Sequence, residues 1–113
     1  MAADFVPDEG DIVWVNFTPQ SGHEQAGRRP AVVLSPKAYN GRAGLLVCVP
    51  VTNQIKGYPF EVVLDQAGAT GVALADQVKS LDWQARQAER KGKATVAEVA
   101  DIKAKIKSLL RLG

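Results

Sequence analysis

Histidine and cysteine are nearly missing from this chain of 113 residues, which has one of each, His23 and Cys48. That scarcity excludes several chemistries. A nuclease using two imidazoles as acid and base is ruled out within one chain. No Cys/His set has the spacing of a zinc site, and no glycine-rich phosphate loop is present, so no cofactor is expected. A lone cysteine forms no internal disulfide, which fits a reducing compartment. Cys48 lies within the apolar run LLVCVPV (45–51), with no histidine nearby in sequence to activate it. It reads as a small buried hydrophobe. No apolar run approaches the ~20 residues that span a bilayer. The start of the chain, MAADFV, lacks the charged-then-apolar pattern of a signal peptide. A cytoplasmic location with no membrane partner is therefore expected. An excess of one charge is missing too. Lys and Arg number 14 against 12 Asp and Glu, a net charge of +2, which excludes a strongly basic nucleic-acid tail and leaves room only for a local basic surface.

What is present reads as one domain over 1–113, mostly β, with a helix at its end. The segment 11–17 (DIVWVNF) is rich in β-branched and aromatic residues and follows Gly10. The run 30–35 (PAVVLS) suits a strand buried on both faces. Two further strands are predicted over 45–51 and 58–64 (YPFEVVL), and two short ones over 71–75 and 77–81, interrupted around Asp76. Asn40-Gly41 marks a turn between the second and third strands, and 86–93 reads as a polar connection that can begin as a short helix. Thr95 and Glu98 have capping-box spacing. Val99, Ile102, Ile106 and Leu109 then recur at helical spacing, with Lys103, Lys105, Lys107 and Arg111 crowding the later turns, where cations suit the helix dipole. A helix over 95–112 is predicted. Short strands at this spacing suit a small, strongly bent antiparallel barrel closed by that C-terminal α-helix.

Polar groups collect in two loops. The first, 18–29 (TPQSGHEQAGRR), holds His23, Glu24, Gln25, Arg28 and Arg29 and ends at the second strand. The second, 52–57 (TNQIKG), begins with Thr52 and holds Gln54 and Lys56. If strands two and three are neighbours, the loops meet at one rim. An RNA phosphate there would find guanidinium forks, a hydroxyl and an ammonium, groups able to stabilise the charge of a phosphoryl transition state. Phe17, at a strand end beside the long loop, could stack on an unpaired base. Each residue also has an ordinary reading. His23 and Glu24 serve equally as solvated loop residues, Lys56 as a solubilising charge, and Arg28-Arg29-Pro30 as a surface segment. Trp14 and Trp83 read as core or interface residues.

Several segments carry a wider signal: VPDEGDIVWVNFTP (6–19), EQAGRRPAVVLSP (24–36), YN (39–40), CVPVTNQIKGYPFEVVL (48–64), GVALADQVKSLDW (71–83) and IKAKI (102–106). In order and spacing they resemble the MazF/PemK family of toxin ribonucleases, over nearly the whole chain. The resemblance implies a small SH3-like antiparallel β-barrel of the CcdB/PemK type that forms a homodimer. It implies the toxin of a type II toxin–antitoxin system: a metal-independent endoribonuclease cutting single-stranded RNA at a short, ACA-like sequence. The RNA's own 2′-hydroxyl would be the nucleophile, leaving a 2′,3′-cyclic phosphate and a 5′-hydroxyl. A cognate MazE-like antitoxin with an acidic, flexible tail would cover the RNA groove. Carried over position by position, Arg29 and Thr52 match the family's catalytic arginine and threonine, and Glu24 an acidic residue important for activity. Lys56, Gln77 and Lys79 fall on positions associated with RNA contact. Arg28 and Asn53 are places where relatives differ, and 66–70 and 84–94 carry little family signal. A guanidinium titrates above ~12, so Arg29 is cast first as an electrostatic stabiliser and second as a proton donor. Two other readings share the fold class: a CcdB-like gyrase poison that cuts no RNA, and an inactive scaffold that binds the antitoxin.

Overall fold

The computed structural model describes residues 5–17, 27–64 and 71–113. Seven strands form among them: β1 (Asp11–Asn16), β2 (Arg28–Val33), β3 (Leu45–Thr52), β4 (Glu61–Leu64), β5 (Gly71–Leu74), β6 (Lys79–Asp82) and β7 (Glu89–Lys93). All pairings are antiparallel, in the order β4-β5-β3-β2-β1-β7, with β6 also on β3. β3 is the hinge of the sheet. Its first half pairs with β6, its middle with β2 and its last two residues with β5. The sheet curls around it into a half-barrel, as the sequence led us to expect.

The two faces bury different residues, because neighbours along a strand point to opposite sides. One face carries Ile12, Val32, Val49, Val51, Val62, Leu64 and Ala73 and packs against helix α2 (Val96–Leu110) through Val99 and Ile102. The other carries Val13, Val15, Phe17, Ala31, Val33, Leu46, Cys48 and Leu81, closed by Trp83. The start of α2 follows its sequence signature. The Glu98 N–H donates to Thr95 Oγ1 at 3.0 Å and the Thr95 N–H to Glu98 Oε1 at 2.9 Å, which satisfies two otherwise unpaired donors. The apolar stripe ends early: Ile106 packs only in part, and Leu109 is exposed.

Two expectations are corrected. Asn40-Gly41 is no turn; it lies inside a helix, α1 (Lys37–Ala43). Asn40 is fully buried. Its amide donates to the Pro7 and Ser35 carbonyls at 2.8 and 3.0 Å and accepts the Ser35 hydroxyl at 2.6 Å. Its own carbonyl takes the Trp83 indole N–H at 2.9 Å. Tertiary hydrogen bonds override its turn propensity. The segment read as a polar connection, 86–93, holds no helix, and β7 forms within it. Pairing with β1 makes that strand despite its charge: it is an edge strand with β1 on one side, where charged side chains can face water.

Candidate active site

The register of β2 and β3 decides where the candidate residues lie. Val33 is opposite Cys48 and Ala31 opposite Pro50. The bonded rungs end at Ala31 and Pro50; continued by two residues, that register would set Arg29 against Thr52. Residues opposite one another in an antiparallel ladder point to the same face. Arg29 also pairs with Val15 of β1, whose side chain lies in the Cys48 cluster. Strand alternation therefore puts Arg29 and Thr52 on one face, at the end of the sheet where the bonded rungs of β2 and β3 stop. Neither is a loop residue, as the sequence had suggested for Arg29; both are in strands.

Thr52 is only 5% exposed, and its Oγ1 accepts the Gln54 N–H at 3.1 Å, which starts the following loop. The far side of β3 is then occupied by β5, with Val72 opposite Thr52. That approach needs Gly71. A Cβ there would sit 2.4 Å from the Thr52 carbonyl oxygen, and its φ of +133° is one that side-chain-bearing residues rarely adopt.

From Thr52 a cavity of about 410 Å³ opens, lined by Gln54, Lys56, Tyr58, Glu61, Asp76 and Gln77 among others. Its walls are tied down by acidic groups. Glu61 accepts the Lys56 and Gly57 N–H groups at 2.9 and 2.8 Å, fixing the loop that carries Lys56. Asp76 accepts the Tyr58 hydroxyl at 2.8 Å. Burial, that hydrogen bond and the charges of Asp76 and Glu61 push the Tyr58 phenol up to about 12, so it stays a donor at neutral pH. Another hollow of about 470 Å³, between the end of β7 and the start of α2, lies apart from these groups. Tyr58, Glu61, Gly71 and Asp76 were not among the residues singled out in sequence. Only the break between the strands at Asp76 hinted at one of them.

The remaining candidates divide. Lys56 and Gln77 line the Thr52 cavity. Lys79 lies on the same face of the sheet, opposite Cys48, with its ammonium 5.5 Å from the centroid of the Phe17 ring. Phe17 itself is 1% exposed and belongs to the core. The expectation of an open stacking face is not met, because the ring is already covered. Arg28 precedes Arg29 and so points to the opposite face, where it donates to Asn16 and to the Gln87 carbonyl and pairs with Glu89. His23, Glu24 and Gln25 lie outside the described residues. Cys48 is buried, and burial pushes its thiol up to about 12, which fits the structural reading rather than a nucleophile. Among the described residues no His, Cys, Asp and Glu group is arranged to hold a metal ion, and no helix is long and apolar enough to cross a membrane.

Comparison with known proteins gives the frame for this geometry. The PemK-like, MazF-like toxins of type II toxin–antitoxin systems match residues 8–110. The chain belongs to this family. It is 57% identical to the endoribonuclease toxin MazF of Escherichia coli (strain K12) over 110 residues, 97% of this chain and 99% of that one. Among solved structures it superposes on MazF from Deinococcus radiodurans with a TM-score of 0.93, at 55% identity, covering 96% of this chain and all of that one. A MazE–MazF structure from the same organism gives 0.88, also at 55% identity, covering 97% of this chain and all of the matched chain.

Proposed function

We propose that this chain is an endoribonuclease that cuts single-stranded RNA at the rim shared by Arg29 and Thr52. The reading is supported by the shared face that strand alternation gives Arg29 and Thr52, by the polar cavity that opens from Thr52, and by 57% identity to an endoribonuclease toxin. In this reaction the RNA 2′-hydroxyl gives up its proton to a base, for which Glu24 and His23 are the candidates, and its oxygen bonds to the adjacent phosphorus. The bond from phosphorus to the 5′-oxygen breaks, leaving a 2′,3′-cyclic phosphate. The departing 5′-oxygen takes up a proton and becomes a hydroxyl. The nucleophile belongs to the substrate, so DNA, lacking the 2′-hydroxyl, resists; the step is proposed to proceed without a metal ion. The Arg29 guanidinium stabilises the charge on the pentacoordinate phosphate, and the Thr52 hydroxyl orients a phosphate oxygen or the 2′-hydroxyl. Glu24 is the third catalytic candidate, with His23 and Gln25 beside it in the sequence. Lys56, Gln77 and Lys79 supply contacts to the strand, and an ACA-like sequence is the expected cleavage site.

The partner is an antitoxin of the MazE kind, as the MazE–MazF complex of a relative suggests, and the working unit is a homodimer in the cytoplasm. The test is cleavage of a long defined RNA in EDTA, with the cut sites mapped by primer extension. Cutting at a short recurrent sequence, lost in a folded Arg29→Ala variant, is the expected result. Intact RNA, or undiminished cutting by that variant, rejects the assignment.

A further inference from the structure

The rim carries a second arginine whose position says something different from its charge. Arg28 opens β2, next to Arg29 in the chain, and its side chain leaves the opposite face of the strand. Its guanidinium donates to Asn16 Oδ1 at 3.2 Å and to the Gln87 carbonyl at 2.8 Å, and it pairs with the Glu89 carboxylate. These acceptors lie on β1, on the turn before β7 and on β7 itself. The same corner is knitted a second time by backbone: the Asn16 N–H donates to the Arg86 carbonyl at 3.1 Å. The Arg86 guanidinium reaches back to the Asn16 carbonyl at 3.2 Å. Gln87 holds a left-handed φ of +56°, rare for a residue with a side chain. Its carbonyl is the one Arg28 grips.

We propose that Arg28 is a positioning residue that clamps β2, β1 and β7 together where Arg29 projects, and is not a contact to the RNA. This rests on the ribonuclease reading above. A phosphate approaching Arg28 would meet the Glu89 carboxylate and a guanidinium already engaged with three acceptors. The Arg28 side chain is 33% exposed while that of Glu89 is 72% exposed, so the acid stands on the solvent side of the pair. Exposed ion pairs add little to global stability. The clamp therefore acts on the geometry of the neighbouring peptide, and small misplacement of a reacting group lowers rates by up to about a hundredfold.

The experiment compares the wild-type chain with Arg28→Ala, Arg28→Lys, Glu89→Gln and the double variant Arg28→Ala/Glu89→Gln. Each is assayed for steady-state cleavage of a single-site RNA over a salt series, with thermal melts alongside. Arg28→Ala is expected to lower kcat about tenfold or more, with KM and its salt dependence unchanged. Glu89→Gln lowers kcat in the same direction, the double variant is no worse than Arg28→Ala, and Arg28→Lys recovers part of the rate. The proposal is overturned if Arg28→Ala keeps kcat but raises KM and flattens the log–log salt slope by about one, the mark of a lost phosphate contact. It is also overturned if Glu89→Gln binds RNA more tightly or leaves kcat unchanged. Should Arg28→Ala not fold, Glu89→Gln decides by the same criteria. A wild-type chain that leaves RNA intact overturns the ribonuclease reading and this proposal with it; a wild-type chain that cuts, with kcat unaltered in Arg28→Ala, overturns this proposal alone.

Discussion

Replacing Thr52 by valine separates the structural from the catalytic part of its hydroxyl. Valine keeps the branched shape and one methyl group in a position only 5% exposed, so the change is confined to the hydroxyl. One hydrogen bond is lost, that from the Gln54 N–H at 3.1 Å. Gln54 is exposed, so water can take the freed donor, and the stability cost is about 0.5–1.5 kcal/mol. For a chain of this size that lowers Tm by several degrees. With ordinary stability, more than about 99% of the molecules stay folded at the assay temperature, and unfolding alone leaves activity almost intact. Removing a group that contacts the phosphate as charge develops costs far more, about 10²–10³ in kcat. The two effects differ by orders of magnitude in the same assay. Thr52→Val is expected to melt a few degrees lower and to cut RNA at least about a hundredfold more slowly, while Thr52→Ser, which keeps the hydroxyl, stays within about tenfold of wild type. A folded Thr52→Val variant cutting within about tenfold of wild type would show that the hydroxyl only caps the loop.

Asn40→Ala strands the Pro7 and Ser35 carbonyls and the Ser35 hydroxyl in the interior. A loss of about 3 kcal/mol or more is expected, read as a lower urea midpoint at constant m, and a loss under about 1 kcal/mol contradicts the account. The Cys48 thiol, raised by burial from 9.0 to about 12, stays protonated in the folded chain while the unfolded chain ionises. Its contribution to stability is complete below pH 9 and lost as pH rises towards 12. Wild type should lose more stability than Cys48→Ala between pH 8 and 10, by on the order of 1 kcal/mol. Equal slopes for the two would mean that the thiol titrates normally. Tyr58 adds its own loss above pH 10, in the same direction. Lys79→Gln removes an ammonium from the face shared with Arg29 and Thr52. The salt slope of RNA binding should fall by about one with kcat kept; an unchanged slope excludes Lys79 from the phosphate track.

The order of strands and the C-terminal helix were legible because they rest on local signals: β-branched runs, a break at Asp76, and a capping box whose two hydrogen bonds both form. The errors came where distant partners decide. Asn40 has the propensity of a turn residue, yet four hydrogen bonds from other parts of the chain hold it inside a helix. β7 reads as a polar connection because Glu89, Arg90, Lys91 and Lys93 mask the strand that β1 induces. At the site, residue types near the rim were readable but facing was not. Arg28 and Arg29 are adjacent and chemically identical, and only the alternation of β2 puts one on the face of Val15 and the other beside Glu89. Phe17 shows the same limit. Its place at a strand end suggested exposure, whereas the curl of the sheet covers its ring.

On the proposed reading, that alternation also accounts for how so small a fold would hold a reacting phosphate. A pair carried on two independent loops would need both loops ordered before it could act. Here Arg29 and Thr52 sit inside β2 and β3, whose mutual register is set by the buried rungs Ala31–Pro50 and Val33–Cys48. A slip of one residue would turn every core side chain to the wrong face, so the stability of the core enforces the alignment of the site. Gly71 completes the arrangement on the other edge. Its missing side chain lets β5 close on the Thr52 backbone, so the strand bearing the hydroxyl is held from both sides. The loop bearing Lys56 starts beyond this frame and is fastened separately through Glu61. Changes in that loop can alter which strand of RNA is gripped while leaving the Arg29–Thr52 alignment in place. The separation is physical: a ladder buried in the core holds the register of β2 and β3, and the solvent-facing loop that bears Lys56 is held apart from it by the Glu61 carboxylate.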